Sequence, residues 1–219
     1  MSQQLQKRKR TRNTTKRAKI GSHGFKVHKN TTVYVGKETE SKSGVSEELV
    51  EVLQDLFNNN PASKKMKKFI KSISIKRSVQ SSGTAGRWSF VNSKIEIIQH
   101  GDEVEWYKGT FFHEVEGHAF WDFARKYRRE ELIAFNELAN KMPPVNGYVK
   151  DNAKKWKTWK DDEGVYAIKG VESHPSMTRY ANEQHSAIGE IVRDVARREM
   201  LITEPQKMRL VALWELLHY

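Results

Sequence analysis

Residues 111–123 read FFHEVEGHAFWDF, and four ionisable side chains sit inside this run: His113, Glu114, Glu116 and His118. Their neighbours Phe111, Phe112, Val115, Ala119, Phe120, Trp121 and Phe123 leave little room for a solvated face. Charged groups are costly to bury without partners. Two histidines and a carboxylate in apolar surroundings therefore ask for a compensating charge, and a divalent metal supplies one. The 219 residues contain no cysteine. Cysteine-based zinc and iron–sulfur sites are thus excluded, and any metal must be held by histidine and carboxylate.

The spacing makes a structural demand. His113 and His118 are five apart in His-Glu-x-x-x-His. On a regular helix, residues i and i+4 lie about 40° apart, whereas i and i+5 lie about 140° apart. Both imidazoles reach one metal only if the helix carries a one-residue π-bulge between them, and Gly117 eases such a distortion. The alternative is two unrelated histidines on one helix.

A third ligand is needed. Two glutamates, Glu183 and Glu190, lie seven apart on a helix expected over about Asn182–Met200. Glu190 is preferred, because Asp194 follows one turn later and can orient a ligand histidine. Glu183 is the alternative. Periodicity alone also allows a solvated charged face, with Arg197 and Arg198 pairing with these acids.

Outward from this region, residues 103–142 read as helical, continuing into the amphipathic stretch RREELIAFNELANKM. Before it, Thr31–Val35, Ile70–Val79, Arg87–Val91 and Lys94–Ile98 read as short strands, and an amphipathic helix starts at Ser46. After it, Asp151–Lys160 interleaves Trp156 and Trp159 with four lysines; it reads as a short helix packing both Trp on the core, with a nucleic-acid or peptide contact as the alternative, and Val165–Ile168 reads as a strand. Lys207–His218 reads as a closing helix with Met208, Val211, Ala212, Trp214 and Leu216 for the core.

The net charge of +12 is unevenly placed, because residues 1–30 hold ten Lys/Arg and no Asp or Glu. This stretch buries too little to offset ordering entropy and is expected to be a disordered basic arm. Lys7, Arg8, Lys9, Arg10, Arg12, Lys16, Arg17 and Lys19 are its candidate contacts to nucleic acid or another polyanion. A solubilising tail is the plain alternative. No apolar leader and no run of about 18 apolar residues occurs, so the expectation is an intracellular protein without a membrane partner.

These motifs resemble a known group. HEVEGH is similar to the HELLGH of dipeptidyl peptidase III, a zinc peptidase with the same one-residue expansion. AIGEIVRDV, residues 187–195, is similar to A-I-N-E-x-x-S-D-I, the second zinc motif of thermolysin-like gluzincins. Gly189 and Arg193 depart from that motif, and the chain is far smaller than either enzyme. The resemblance implies an α+β fold: a minimal zincin-like metallopeptidase domain over residues 31–219, with a small mixed or antiparallel sheet and active-site helices. An edge strand, Arg87–Val91 or Lys94–Ile98, would bind extended substrate. It implies Zn2+ on His113, His118 and Glu190, with Glu114 as general base and Asp194 orienting a histidine. The oxyanion donor would be Tyr180, ahead of His174 and His185. The substrate would be a protein or peptide. The competing reading is an inactive, nucleic-acid-associated binding or structural protein on the same core. A zinc hydrolase acting on a non-peptide bond is a third.

Overall fold

The computed structural model describes residues 15–18, 22–28, 31–36, 47–78, 84–101, 103–194 and 204–219. The fold is mixed α+β and divides into two compact units, residues 1–108 and 109–219. The division falls inside the span expected to be one catalytic domain. Among the described residues, no helix is long and apolar enough to cross a membrane.

The first unit is built on a sheet of six strands: β1 (Thr15–Ala18), β2 (Ser22–His28), β3 (Thr31–Gly36), β4 (Ser72–Arg77), β5 (Gly86–Ser89) and β6 (Lys94–Gln99). Their order is β1-β2-β3-β4-β6-β5. The sheet is mixed, since β4 runs parallel to both β3 and β6 while the other pairs are antiparallel. Strands β1 and β2 lie in the stretch expected to be a disordered arm, so Lys16 and Arg17 belong to a strand. Backbone pairing with β3 orders a segment whose side chains alone would not. The other arm residues singled out, Lys7, Arg8, Lys9, Arg10, Arg12 and Lys19, lie outside the described residues.

Period-two alternation sets the two faces of β4 and β6. Ile73, Ile75, Ile95 and Ile97 are wholly buried on one face. The amphipathic helix α1 (Glu47–Asn59) and the short α2 (Lys64–Phe69) add buried Leu49, Leu53, Phe57 and Met66. Ser63 starts α2 as an N-cap, its side chain accepting from the Met66 amide at 3.1 Å. The β5–β6 turn passes through Ser93 at φ 49°, a left-handed position. Beyond β6, the Tyr107 hydroxyl accepts from the amides of His100 and Gly101 at 2.6 and 2.9 Å, which fastens the start of the next helix.

That helix, α3 (Val104–Phe112), crosses the boundary between the units. It passes into a π-helical segment, His113–Ala119, and continues as α4 (Phe120–Tyr127). The second unit adds α5 (Arg129–Lys141), α6 (Gly147–Trp156), a 3-10 turn (Gly164–Tyr166), α7 (Arg179–Val192) and α8 (Pro205–His218). Trp156 is buried as expected, but Trp159 is 52% exposed beneath Lys155. The strand expected over Val165–Ile168 is absent. A 3-10 turn entered through Gly164 at φ 59° stands there, and Val165 is exposed.

Helix α8 corrects the core assignment at its own end. Leu210, Val211, Trp214 and Leu217 are buried, whereas Met208, Ala212 and Leu216 lie one turn apart on the outer face. The Trp214 indole donates to the His185 carbonyl at 3.0 Å, tying α8 to α7.

Candidate metal centre

The site forms where α7 crosses the π-helical segment. A metal shared by His113 and His118 requires a local distortion between them, and the helix there is π over seven residues. The widened turn brings the two rings to 4.9 Å between centroids, nearly perpendicular at 78°.

Small residues allow the crossing. A Cβ on Gly117 would lie 2.4 to 2.6 Å from Ser186 Oγ, Cβ and backbone Cα. Only glycine fits between the two backbones. Gly189 plays the reciprocal part: a Cβ there would meet Trp214 at 3.3 Å and Glu116 at 3.4 Å. The role of Gly117 is therefore close helix approach, in addition to any ease of bending.

Close approach carries the polar residues of α7 onto the imidazoles. Glu183 is 1% exposed, and its carboxylate faces both rings. Its Oε2 is 3.3 Å from His113 Nε2, and its Oε1 is 3.7 Å from His118 Nε2. Glu190 reaches only the other side of one ring, with Oε2 3.7 Å from His113 Nδ1. The glutamate placed against both histidines is thus Glu183, the alternative, and not the preferred Glu190. Glu190 stands where a carboxylate orients a ligand histidine. That is the role assigned to Asp194, which lies exposed beyond the end of α7 and is not brought to the imidazoles.

The hydrogen-bond network fixes the presentation of His118. Its Nδ1 is 2.8 Å from Asn182 Oδ1 and 3.1 Å from Ser186 Oγ. The Asn182 amide is itself oriented, because its Nδ2 donates to the buried Asp161. Nδ1 of His118 therefore carries the hydrogen, and Nε2 presents a lone pair toward Glu183. Burial lowers the His118 pKa to about 3, with Arg179 adding to that effect, which keeps the ring neutral. For His113, burial is outweighed by Glu183 and Glu190, which hold its pKa up to about 10. Burial of Glu183 is likewise outweighed by His118, His113 and Arg179, which bring it down to about 2.

Arg179 completes the surroundings, with one guanidinium nitrogen 2.5 Å from Glu183 Oε1. The other oxygen, Glu183 Oε2, is buried and makes no hydrogen bond among the described residues. A neutral imidazole and a carboxylate oxygen facing each other at 3.3 Å repel unless a proton or cation lies between them. Ligand bonds of about 2.0–2.1 Å in a tetrahedron set ligand atoms about 3.3 Å apart. The donor set of two imidazoles and one carboxylate therefore fits a divalent metal. Glu114 is 4% exposed, and with His113 and His118 it forms a group whose ligand atoms lie within 4.8 Å of one another.

The remaining sequence assignments separate here. Tyr180 is wholly buried, and its hydroxyl donates to the Met142 carbonyl at 2.8 Å while accepting from Gln184 at 3.2 Å. Burial raises its pKa to about 12. It faces α5's end and not the imidazoles. His185 is boxed by Phe120, Trp121, Phe135 and Trp214 in the core. His174 is held in its loop, where its amide donates to Asp162 at 2.6 Å and its ring meets Ser176 at 2.8 Å. Glu116, the fourth charge in the opening run, pairs with Arg193 at 2.6 Å. Arg193 thus serves the π segment and not the acids of its own helix.

Asn182, Ser186, Asp161 and Arg179 were missed by sequence reasoning. A signal for the first two existed. Set against A-I-N-E-x-x-S-D-I, residues 182–188 match at Asn182, Glu183, Ser186 and Ile188. The register chosen from the Ala-Ile pair at 187–188 lies seven residues later. Asp161 and Arg179 had no such signal.

No family model, curated protein or solved structure matches the chain.

Proposed function

We propose that the second unit is a zinc-dependent peptidase, with His113, His118 and Glu183 as ligands and Glu114 as general base. The observation that carries this reading is the π-helical segment. It turns two histidines, five apart in sequence, onto one buried carboxylate whose two oxygens each face a ring nitrogen. A zinc ion held there supplies a Lewis acid that makes water acidic enough to lose a proton near neutral pH. Glu114 takes that proton and returns it to the leaving amine. Asn182 holds the His118 imidazole from behind, and Glu190 faces the outer nitrogen of His113 at 3.7 Å. The basic arm, with ten Lys/Arg in residues 1–30, gives the enzyme a hold on nucleic acid or nucleoprotein.

The test joins metal analysis with one conservative substitution. Purified protein should carry about one zinc per chain. Glu114→Gln should keep that zinc and lose hydrolysis of a mixed unstructured peptide substrate by about 10²–10⁴-fold. Undiminished hydrolysis in that variant, or wild-type protein that takes up no zinc, would sink the reading.

A further inference from the structure

The polar face of the sheet in the first unit is overcharged for what it buries. Glu96 on β6, the strand beside the edge strand β5, is 5% exposed. Three cations converge on that one carboxylate. Lys76 Nζ is 2.9 Å from Oε1, Lys94 Nζ is 3.3 Å from the same oxygen, and Arg87 Nε donates to Oε2 at 2.5 Å. Burial would raise the Glu96 pKa, but these partners bring it down to about 2.

One cation is enough to neutralise Glu96. The second and third repel each other and the first, at a cost that a purely structural ion pair does not need. All three also turn outward, with side chains 40% (Lys76), 66% (Arg87) and 33% (Lys94) exposed. Register defines the surface they share. Arg87 lies opposite Glu96, and Ser89 and Ser72 lie opposite Lys94, so one face carries cations interleaved with small hydroxyls.

We infer that this face binds the phosphate backbone of single-stranded nucleic acid, with Lys76, Arg87 and Lys94 as its phosphate contacts and Glu96 as the residue that holds them in place. Charge complementarity selects the occupant: excess cations held in fixed positions, with hydroxyl donors between them, match a chain of phosphates. The basic run of residues 1–30 leads into the same sheet through β1 and β2, so the charge of the arm and that of the sheet are continuous along the chain. This inference does not depend on the peptidase reading.

The experiment is fluorescence anisotropy of a labelled 20-nucleotide oligo-dT with the full chain, titrated across a salt series. The triple variant Lys76→Ala, Arg87→Ala, Lys94→Ala should bind at least tenfold more weakly. Its slope of log affinity against log salt should fall by about 2, at about 0.7 per phosphate contact on a single strand. Arg87→Gln, which leaves Lys76 and Lys94 on Glu96, should weaken binding about threefold and lower the slope by about 0.7. It carries the test alone if the triple variant fails to fold. Binding by Arg87→Gln that is unchanged in affinity and slope would overturn the inference. So would loss of binding confined to a full-length variant with Lys7, Arg8, Lys9 and Arg10 replaced by Ala.

Discussion

Two buried carboxylates, one in each unit, have nearly the same burden and opposite surroundings. Glu96 and Glu183 are 5% and 1% exposed, each faces three groups able to carry positive charge, and each is held near a pKa of about 2. Around Glu96 the partners are two lysines and an arginine, permanently charged and anchored at the water's edge. Both of its oxygens are engaged. Around Glu183 two of the three partners are imidazoles, which need not carry charge. Its Oε2 faces the His113 ring nitrogen at 3.3 Å. The first carboxylate is satisfied by the protein itself. The second is satisfied only by a proton on His113 or by a cation from outside. Burial and a depressed pKa therefore do not by themselves mark a site; what sets Glu183 apart is that two imidazole nitrogens face its two oxygens.

The sharpest way to break this comparison is to make the same change at both positions. Glu183→Gln should abolish stoichiometric zinc uptake. Glu96→Gln should leave zinc content unchanged and cost about 1–2 kcal/mol of stability, because its exposed partners return to water. Zinc retained by Glu183→Gln would show that the two carboxylates are equivalent after all. Next in size is Gly117→Ala, which should destabilise the second unit by about 1–3 kcal/mol by forcing α7 off the π segment. A melting temperature unchanged in that variant would deny the close crossing. Asn182→Ala should weaken zinc affinity about 10–100-fold with the fold intact, since it frees the His118 ring without removing a ligand. Competition against a chelator of known affinity reads that number, and an unchanged constant would remove Asn182 from the site.

The smallest effect separates the units by pH in zinc-free protein. Glu96 and Glu183 fall from 4.5 to about 2 on folding, so the stability each adds is complete above about pH 4.5 and is lost as pH falls towards 2. His113 rises from 6.5 to about 10, so its contribution is complete below about pH 6.5 and is lost as pH rises through 10. Amide-exchange protection in the sheet should therefore weaken only on the acid side, and in α7 and the π segment on both sides. A flat alkaline limb in α7 would show that His113 carries no proton in the zinc-free protein.

Much of the fold was legible because it is local. Alternation over residues 70–79 gave a strand with Ile73 and Ile75 on one side, and the five-residue histidine spacing tied a shared metal to a π-bulge. The outer face of α8 was misread because several positions of that helix are apolar, and composition does not say which side meets the core. The third-ligand assignment went to Glu190 because an acid one turn later looked like an orienting group. In the fold, α7 turns Glu183 inward and leaves Glu190 behind the His113 ring.

The sequence by itself determined the chemistry available: no thiols, two histidines whose spacing lets them share a metal only across a helix bulge, and a basic N-terminal segment apart from a nearly neutral remainder. Only the tertiary structure decided which carboxylate meets both imidazoles. It also supplied Asp161 and Arg179 from beyond any motif. The physical reason is that helix-to-helix distance is set by contacts such as Gly117 on Ser186, between residues about 70 apart in the chain. Periodicity places a side chain on a face of its own helix; it does not say what that face will touch.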